Sequence, residues 1–306
     1  MNKQDSLFEP IGIVKNVDPL FESGSSHSSY WEEGWIRFCS NGLSMIGAFA
    51  LILLFVMAII GPMITPYTYY ETHLQLKNSP PSSEFWFGTD ELGRDLFTRV
   101  WWGARISLFV GIVASFMDLV FGVLYGSIAG LFGGKLEEFM MRLADILYSI
   151  PYLLVVILLM VIIGSGISTI ILALTITGWI GMARIVRSQI LQLKQIDFVK
   201  AAIAQGASKS RILFKHLIPN CMGPIIVTLT LTIPTAIFAE AFLSFLGLGV
   251  QAPIASWGTM ANDGLSALRY YPWRLFFPAS FISITMLSFN LVGDGLRDAF
   301  DPRLRT

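Results

Sequence analysis

The chain has 306 residues, 54% of them hydrophobic and 14% charged, with mean hydropathy +0.64. Soluble domains run about 45–50% apolar and about 25% charged, so this composition suits lipid as solvent. The 21 Lys and Arg balance 21 Asp and Glu, leaving no basic footprint for nucleic acid. Two distant cysteines, Cys39 and Cys221, and three scattered histidines support neither a disulfide framework nor a metal site.

The first forty residues are polar and Ser-rich, without a basic start leading straight into an apolar run. They do not read as a cleavable signal, so the first hydrophobic stretch is expected to stay as a signal-anchor helix. Ser29-Tyr30-Trp31-Glu32 has the form of a capping box, and Trp31, Trp35 and Phe38 then share one helical face. Two readings stand for this short helix: it lies in the cytoplasmic membrane interface, or it packs on the protein's own cytoplasmic segments. The chain therefore divides into a cytoplasmic tail, 1–40, and a membrane domain, 41–306.

A bilayer core needs roughly 20 mostly apolar residues per helix. Six stretches qualify: Leu43–Ile64, Ile106–Phe132, Met141–Ile163, a short fourth at Ile167–Met182, Met222–Leu246 and Leu275–Val292. The fold class predicted is an all-α polytopic membrane protein. With the N-terminus inside, the outer segments hold six of the 21 cations (Lys77, Arg94, Arg99, Arg105, Arg269, Arg274), which places both termini in the cytoplasm. Gly122, Gly126, Ala129, Gly130 and Gly164 read as close helix contacts.

The outer loop, 65–105, carries Thr89, Asp90, Arg94 and Asp95. It is either a receiving surface for another protein or a loop ordered by its own caps and ion pairs. Among charges inside spans, Asp118 lies deepest. Asp145 is expected to pair with Arg142 three residues earlier. Glu240 either lines a path near an outer gate or caps backbone amides. Asp118 and Glu240 are thus the candidate path residues, since ionisable groups in a span usually face a cavity or a partner.

The cytoplasmic stretch within 184–220 is too polar to cross. Asp197 serves as N-cap, Gly206 as the residue ending the helix with positive φ, and Ser208 as cap of a second helix; Pro219 marks entry to the next span. Phe198, Val199, Ala202 and Ile203 form an apolar face, and Ala201, Ala202 and Ala204 keep the surface low. The alternative is an ordinary solvated basic loop. An exposed apolar helix flanked by cations calls for a partner protein.

Several motifs then carry a family resemblance. Ala201, Ala202, Gly206 and Pro219 resemble the EAA motif of ABC importer permeases, with Lys200 where the family has Glu and Ile218 where it has Leu. His216-Leu217-Ile218-Pro219-Asn220 is similar to the form used by the dipeptide, oligopeptide and nickel branch. Phe87–Asp95 resembles that branch's FGTDxxGRD signature. Ala239–Gly249 with Ser256-Trp257-Gly258 resembles its LSFLGLG stretch, and Asn290–Asp298 with Asp301-Pro302 its GDGLRDxxDP ending. The pattern is most similar to C-type subunits of oligopeptide permeases.

The resemblance implies a type I ABC importer permease fold in a bacterial cell membrane. It implies a B-type permease partner, two separate ATPase subunits holding ATP and Mg, and an extracytoplasmic peptide-binding protein. It also implies that Asp197, Phe198, Val199, Lys200, Ala201, Ala202, Gly206, Ala207, Arg211, His216 and Pro219 couple the chain to the ATPases. This chain itself is expected to bind no cofactor and to catalyse nothing. Gly133-Gly134-Lys135-Leu136 lacks the first Gly and the Ser/Thr of a phosphate loop, and Gly247–Ala252 ends a membrane helix rather than a strand. A secondary transporter would show matching broken halves, and no internal repeat is visible.

Overall fold

The computed structural model describes residues 30–300, and among these it contains eleven α-helices and no strand. Five helices are long and apolar enough to cross a membrane alone, and a bent pair makes a sixth span if taken as one. They are α2 (Gly42–Ile64), α3 (Leu96–Phe132), α6 (Ile167–Leu193), the run Lys209–Phe245 and α11 (Trp273–Phe300). The bent pair is α4 (Gly134–Tyr148) and α5 (Tyr152–Ile163).

Helix α1 (Tyr30–Ser40) precedes α2, and between them the Asn41 side chain accepts from the Leu43 and Ser44 N–H groups. Ser29, half of the predicted capping box, lies outside the described residues, as do Asp301 and Pro302. Of the two readings for α1, the structure has packing on the protein's own chain. Gly34 sits under the Phe300 ring, and the Trp31 and Phe300 rings meet edge-on at 5.3 Å. Trp35 and Ile36 stay exposed.

The fifth and sixth expected spans lengthen, to Lys209–Phe245 and Trp273–Phe300, and the second, third and fourth change shape. The second starts ten residues earlier, at Leu96, because Asp95 caps it by accepting from Thr98 N–H at 2.8 Å and Thr98 Oγ1 at 2.6 Å. The fourth is not short; α6 continues through Leu193. The third is not one helix. Pro151 has no N–H to donate and disfavours helix in the residue before it, so the chain breaks there and α4 and α5 meet at 76°.

Three apolar cores hold the bundle. One joins α2, the N-terminal part of α3 and α10 (Trp257–Leu265) through Leu54, Val100, Trp101 and Trp257. A second joins α3, α5, α6 and α9 (Ile218–Phe245) through Val110, Val156, Ile170 and Leu243. The third joins the C-terminal part of α6 to the start of the fifth span, with Met182, Val186, Ile190, Leu217 and Ile225. Small residues let α3 lie close along α6: a Cβ at Gly122 would stand 2.6 Å from that of Met182, and one at Gly130 2.9 Å from that of Ile190. Gly164 is not such a contact. It has φ +96 in the turn between α5 and α6 and meets nothing within 4 Å.

Pro62 inside α2 cannot donate to the Ala58 carbonyl four residues back. Arg105 of α3 supplies the missing donor, its Nε 2.6 Å from Ala58 O, with a terminal nitrogen 2.7 Å from Ile59 O. In lipid every backbone group needs a partner inside the protein, so the cation at this depth has a structural reason.

The outer loop is ordered by its own polar groups, the second of the two readings above. Asp90 accepts from the N–H groups of Leu92 and Arg94 and pairs with Arg94 at 2.6 Å and Arg99 at 3.4 Å. Ser79 N–H donates to Thr89 Oγ1 at 2.8 Å, and Arg99 donates to Tyr69 O. Arg274 of α11 reaches Glu91 at 2.9 Å. Gly93 takes φ +72, and any side chain there would collide with the His73 carbonyl. Burial raises the Asp263 carboxyl above its usual range, while the guanidiniums of Arg99, Arg94 and Arg274 oppose that.

Candidate functional site

Helix α7 (Asp197–Ala204) projects between α6 and the next span. Asp197 does not cap it: Ile196 holds the N-cap position without a side-chain bond, and Asp197 stands in the first turn, where a carboxylate favours the helix dipole. The stop follows the expectation. Gly206 has φ +79; its N–H donates to Ile203 O at 2.9 Å and that of Ala207 to Ala202 O at 3.1 Å, a Schellman ending. Ser208 then caps α8 (Lys209–Ile212) by accepting from Arg211 N–H.

The apolar face of α7 divides in two. Val199 is fully buried in the third apolar core, against α6 and the start of the fifth span, so it anchors the helix and presents nothing outward. Ile196, Phe198 and Ile203 are 45%, 42% and 52% exposed, beside exposed Ala201 and half-buried Ala202. Ile196 was missed by sequence because it precedes the helix. Lys200 is exposed and lies 3.6 Å from Asp197 of its own helix. Arg211 is exposed, and His216 stands 6.3 Å from the Phe198 ring.

Pro219 does not mark a fresh start. The π-helical turn Leu213–Leu217 joins α8 to α9, so the helix runs unbroken from Lys209 to Phe245 and Pro219 lies in the first turn of α9. The extra residue of a π turn lets the ladder pass a proline that cannot donate, and Asn220 Nδ2 donates to His216 O at 2.6 Å.

Cations tie this end together. Lys194 Nζ donates to the Gly130 and Leu131 carbonyls at 3.1 and 2.9 Å, capping the C-terminus of α3 with positive charge. Lys209 lies 4.7 Å over the Phe132 ring. Asp145 pairs with Arg184 of α6 at 2.7 Å rather than with Arg142, which reaches back to Glu138 at 2.8 Å. Arg142 and Glu138 stand one turn apart on the exposed side of α4, whereas Asp145 faces α6. Arg187 pairs with Glu137, so α4 is strapped to α6 twice. None of these cross-helix partners has a sequence spacing that would announce it.

The two candidate path residues part company. Glu240 is fully buried: Ser107 Oγ donates to it at 3.0 Å and Ser244 Oγ at 2.7 Å, while Trp257 N–H donates to Ser107 Oγ at 3.2 Å. Through these hydroxyls it joins α3, α9 and α10. Asp118 does face a cavity, of about 340 Å³, with Tyr152, Thr177, Gly178, Thr232 and Thr235 in its wall. The described residues hold no metal-binding cluster.

Residues 122–306 match the family described as "Binding-protein-dependent transport system inner membrane component", and residues 29–81 match the N-terminal TM domain of oligopeptide transport permease C. The oligopeptide transport system permease protein OppC of Bacillus subtilis (strain 168) is 57% identical over 304 residues, 99% of both chains. The dipeptide transport system permease protein DppC of the same organism is 59% identical over 278 residues, 90% of this chain and 87% of that one. OppC of Escherichia coli (strain K12) is 43% identical over 279 residues, covering 90% and 92%. Among solved structures, inward-facing forms of the MetNI methionine ABC transporter superpose with TM-scores of 0.54 and 0.55 at 20% identity. They cover 65% and 66% of this chain and 94% and 96% of theirs. That likeness establishes the fold alone, the type I ABC importer permease fold, and the long apolar helices make the chain a multi-pass membrane protein. By these sequence matches the chain belongs to the inner membrane components of binding-protein-dependent transport systems.

Proposed function

We propose that the chain is one of two permease subunits of an ATP-driven oligopeptide importer, forming half of the translocation path with a B-type partner. Two ATPase subunits carrying ATP and Mg dock beneath it, and an extracytoplasmic peptide-binding protein delivers substrate from outside. Both termini lie in the cytoplasm of a bacterial cell, and the 1–40 tail leads into the membrane domain, 41–306. The names of the similar proteins support peptide as substrate.

The observation that carries coupling is the α7 geometry. Ile196, Phe198 and Ile203 are presented on a helix that Val199 anchors and Gly206 ends, directly ahead of a helix continuous with the fifth span. Exposed apolar side chains at a cytoplasmic helix end have no reason to face water unless a groove receives them. Movement of the ATPases then shifts the spans between inward- and outward-facing packings, since only a differential interaction with two states drives such a change. Around this coupling helix, Asp197, Lys200, Ala201, Ala202, Ala207, Arg211 and His216 form the rest of the docking surface, and Asp118 borders the path.

The test is uptake against ATP hydrolysis in the assembled importer. Ala202→Glu puts a charge on the docking surface, and Gly206→Pro removes both the positive φ and a closing N–H. Both should leave membrane insertion intact and uncouple hydrolysis from uptake. Unchanged uptake in both variants would sink the docking assignment.

A further inference from the structure

Asp118 sits within α3, and only 7% of it is exposed. Its Oδ1 has no hydrogen-bond partner among the described residues, and neither has the Tyr152 hydroxyl in the same cavity wall. A buried carboxylate without a partner costs free energy wherever it stands, and more in a membrane. The chain nevertheless makes room for it. Gly178 of α6 lies against the carboxylate, and a Cβ there would come within 2.7 Å of Oδ1.

On the α9 side of the wall, two hydroxyls face the cavity as acceptors. Thr232 Oγ1 donates to Leu229 O at 2.9 Å, and Thr235 Oγ1 donates to Thr232 O at 2.7 Å and Leu231 O at 3.0 Å. Their protons are spent on their own helix, so both hydroxyls offer the cavity lone pairs only. The Tyr152 and Thr177 hydroxyls can donate but carry no charge, so the carboxylate is left for a cationic donor to neutralise. The volume, about 340 Å³, is far above the roughly 30 Å³ that a water or small ion takes up. Leu174, Ala236 and Ala239 line the remainder, which suits the carbon frame of an organic cation.

We infer that Asp118, with Tyr152 and the threonines of α9, binds the protonated amine of a peptide in transit. The inference rests on the peptide-import reading above and adds to it a polar foothold part-way through the membrane. An alkali cation shares the charge but would leave most of the volume empty. A basic side chain from the partner permease is the other rival.

The experiment uses the complete importer in proteoliposomes, with a lysine-free peptide carrying a free N-terminus and its N-acetylated counterpart. Uptake is normalised to assembled complex. Asp118→Asn should lower saturated uptake of the free-amine peptide about ten-fold, the loss expected for one hydrogen bond to a charged group. Asp118→Glu should restore most of it. Uptake of the acetylated peptide, however slow in the wild type, should not fall further in Asp118→Asn. An equal fall for both peptides, or no fall for the free amine, overturns the inference. Loss of wild-type uptake when choline replaces sodium and potassium assigns the site to an alkali ion and also overturns it. Dissociation of the two permeases in Asp118→Asn, read by size exclusion, assigns the carboxylate to a partner's cation and likewise overturns it. If the wild type takes up neither peptide, the peptide-import reading itself fails, and this inference with it.

Discussion

Arg105 shows how a single residue is tied to one missing proton. Pro62 leaves the Ala58 carbonyl of α2 open, and the Arg105 guanidinium closes it across the helix pair. Replacing Arg105 by Ala should leave that acceptor unsatisfied at a cost of about 1–3 kcal/mol. A thermal melt of the purified protein would register this as a clear fall, and an unchanged midpoint would show that water or lipid headgroups serve the carbonyl instead. Lys200 is the opposite case. It is exposed and, among the described residues, its ion pair is with Asp197, one turn away, so Lys200→Glu should change uptake by less than about two-fold, in keeping with the few tenths of a kcal/mol typical of such pairs. Complete loss of assembly would mean that Lys200 meets a dedicated partner in this system. From sequence, Lys200 was visible as a departure, because a motif fixes its position. Arg105 was visible only as one more outer cation, because its partner is a backbone oxygen 47 residues away.

At the scale of elements, what could be read was what local chemistry decides. The α7 stop at Gly206, the Ser208 cap and the apolar content of the spans all follow from neighbours within a turn or two. The break at Pro151 was legible in principle, since the proline is there, but the apolar run on both sides hid it. The Asp145 assignment failed because i,i+3 spacing was the only criterion available; the Arg184 partner comes from α6, 39 residues on. That pairing, with Arg187 and Glu137, holds α4 against α6. Removing both straps with Arg184→Ala and Arg187→Ala should cost little overall, about 0.2–1 kcal/mol each for partly exposed pairs. Hydrogen exchange should nonetheless quicken over α4 while α6 stays protected. Equal protection in α4 before and after would show that its apolar contacts alone hold it in place.

For the whole molecule, Glu240 joins parts that are far apart along the chain. It receives hydroxyls from α3 and α9, and through Ser107 it is linked to the first N–H of α10. Glu240→Gln keeps an acceptor at the same place and should be mild. Glu240→Leu strands two buried serine hydroxyls, so a loss of at least about 2 kcal/mol is expected, seen as a lower melting midpoint and reduced assembly. Normal stability with impaired transport would instead return Glu240 to the path. Position within the spans suggested a charge of consequence here, but sequence held no clue that α10 folds back over it.

The continuity of α8, the π-helical turn and α9 has a mechanical consequence. The 37 residues from Lys209 to Phe245 follow one helical path, about 55 Å long at about 1.5 Å per residue, with Pro224 and Pro234 inside it. A pivot of only about 10° about its middle would sweep each tip by about 5 Å, roughly the pitch of one helical turn. Under the docking proposed above, a small stroke at the Lys209 end would thus be carried to the Phe245 end by one continuous backbone.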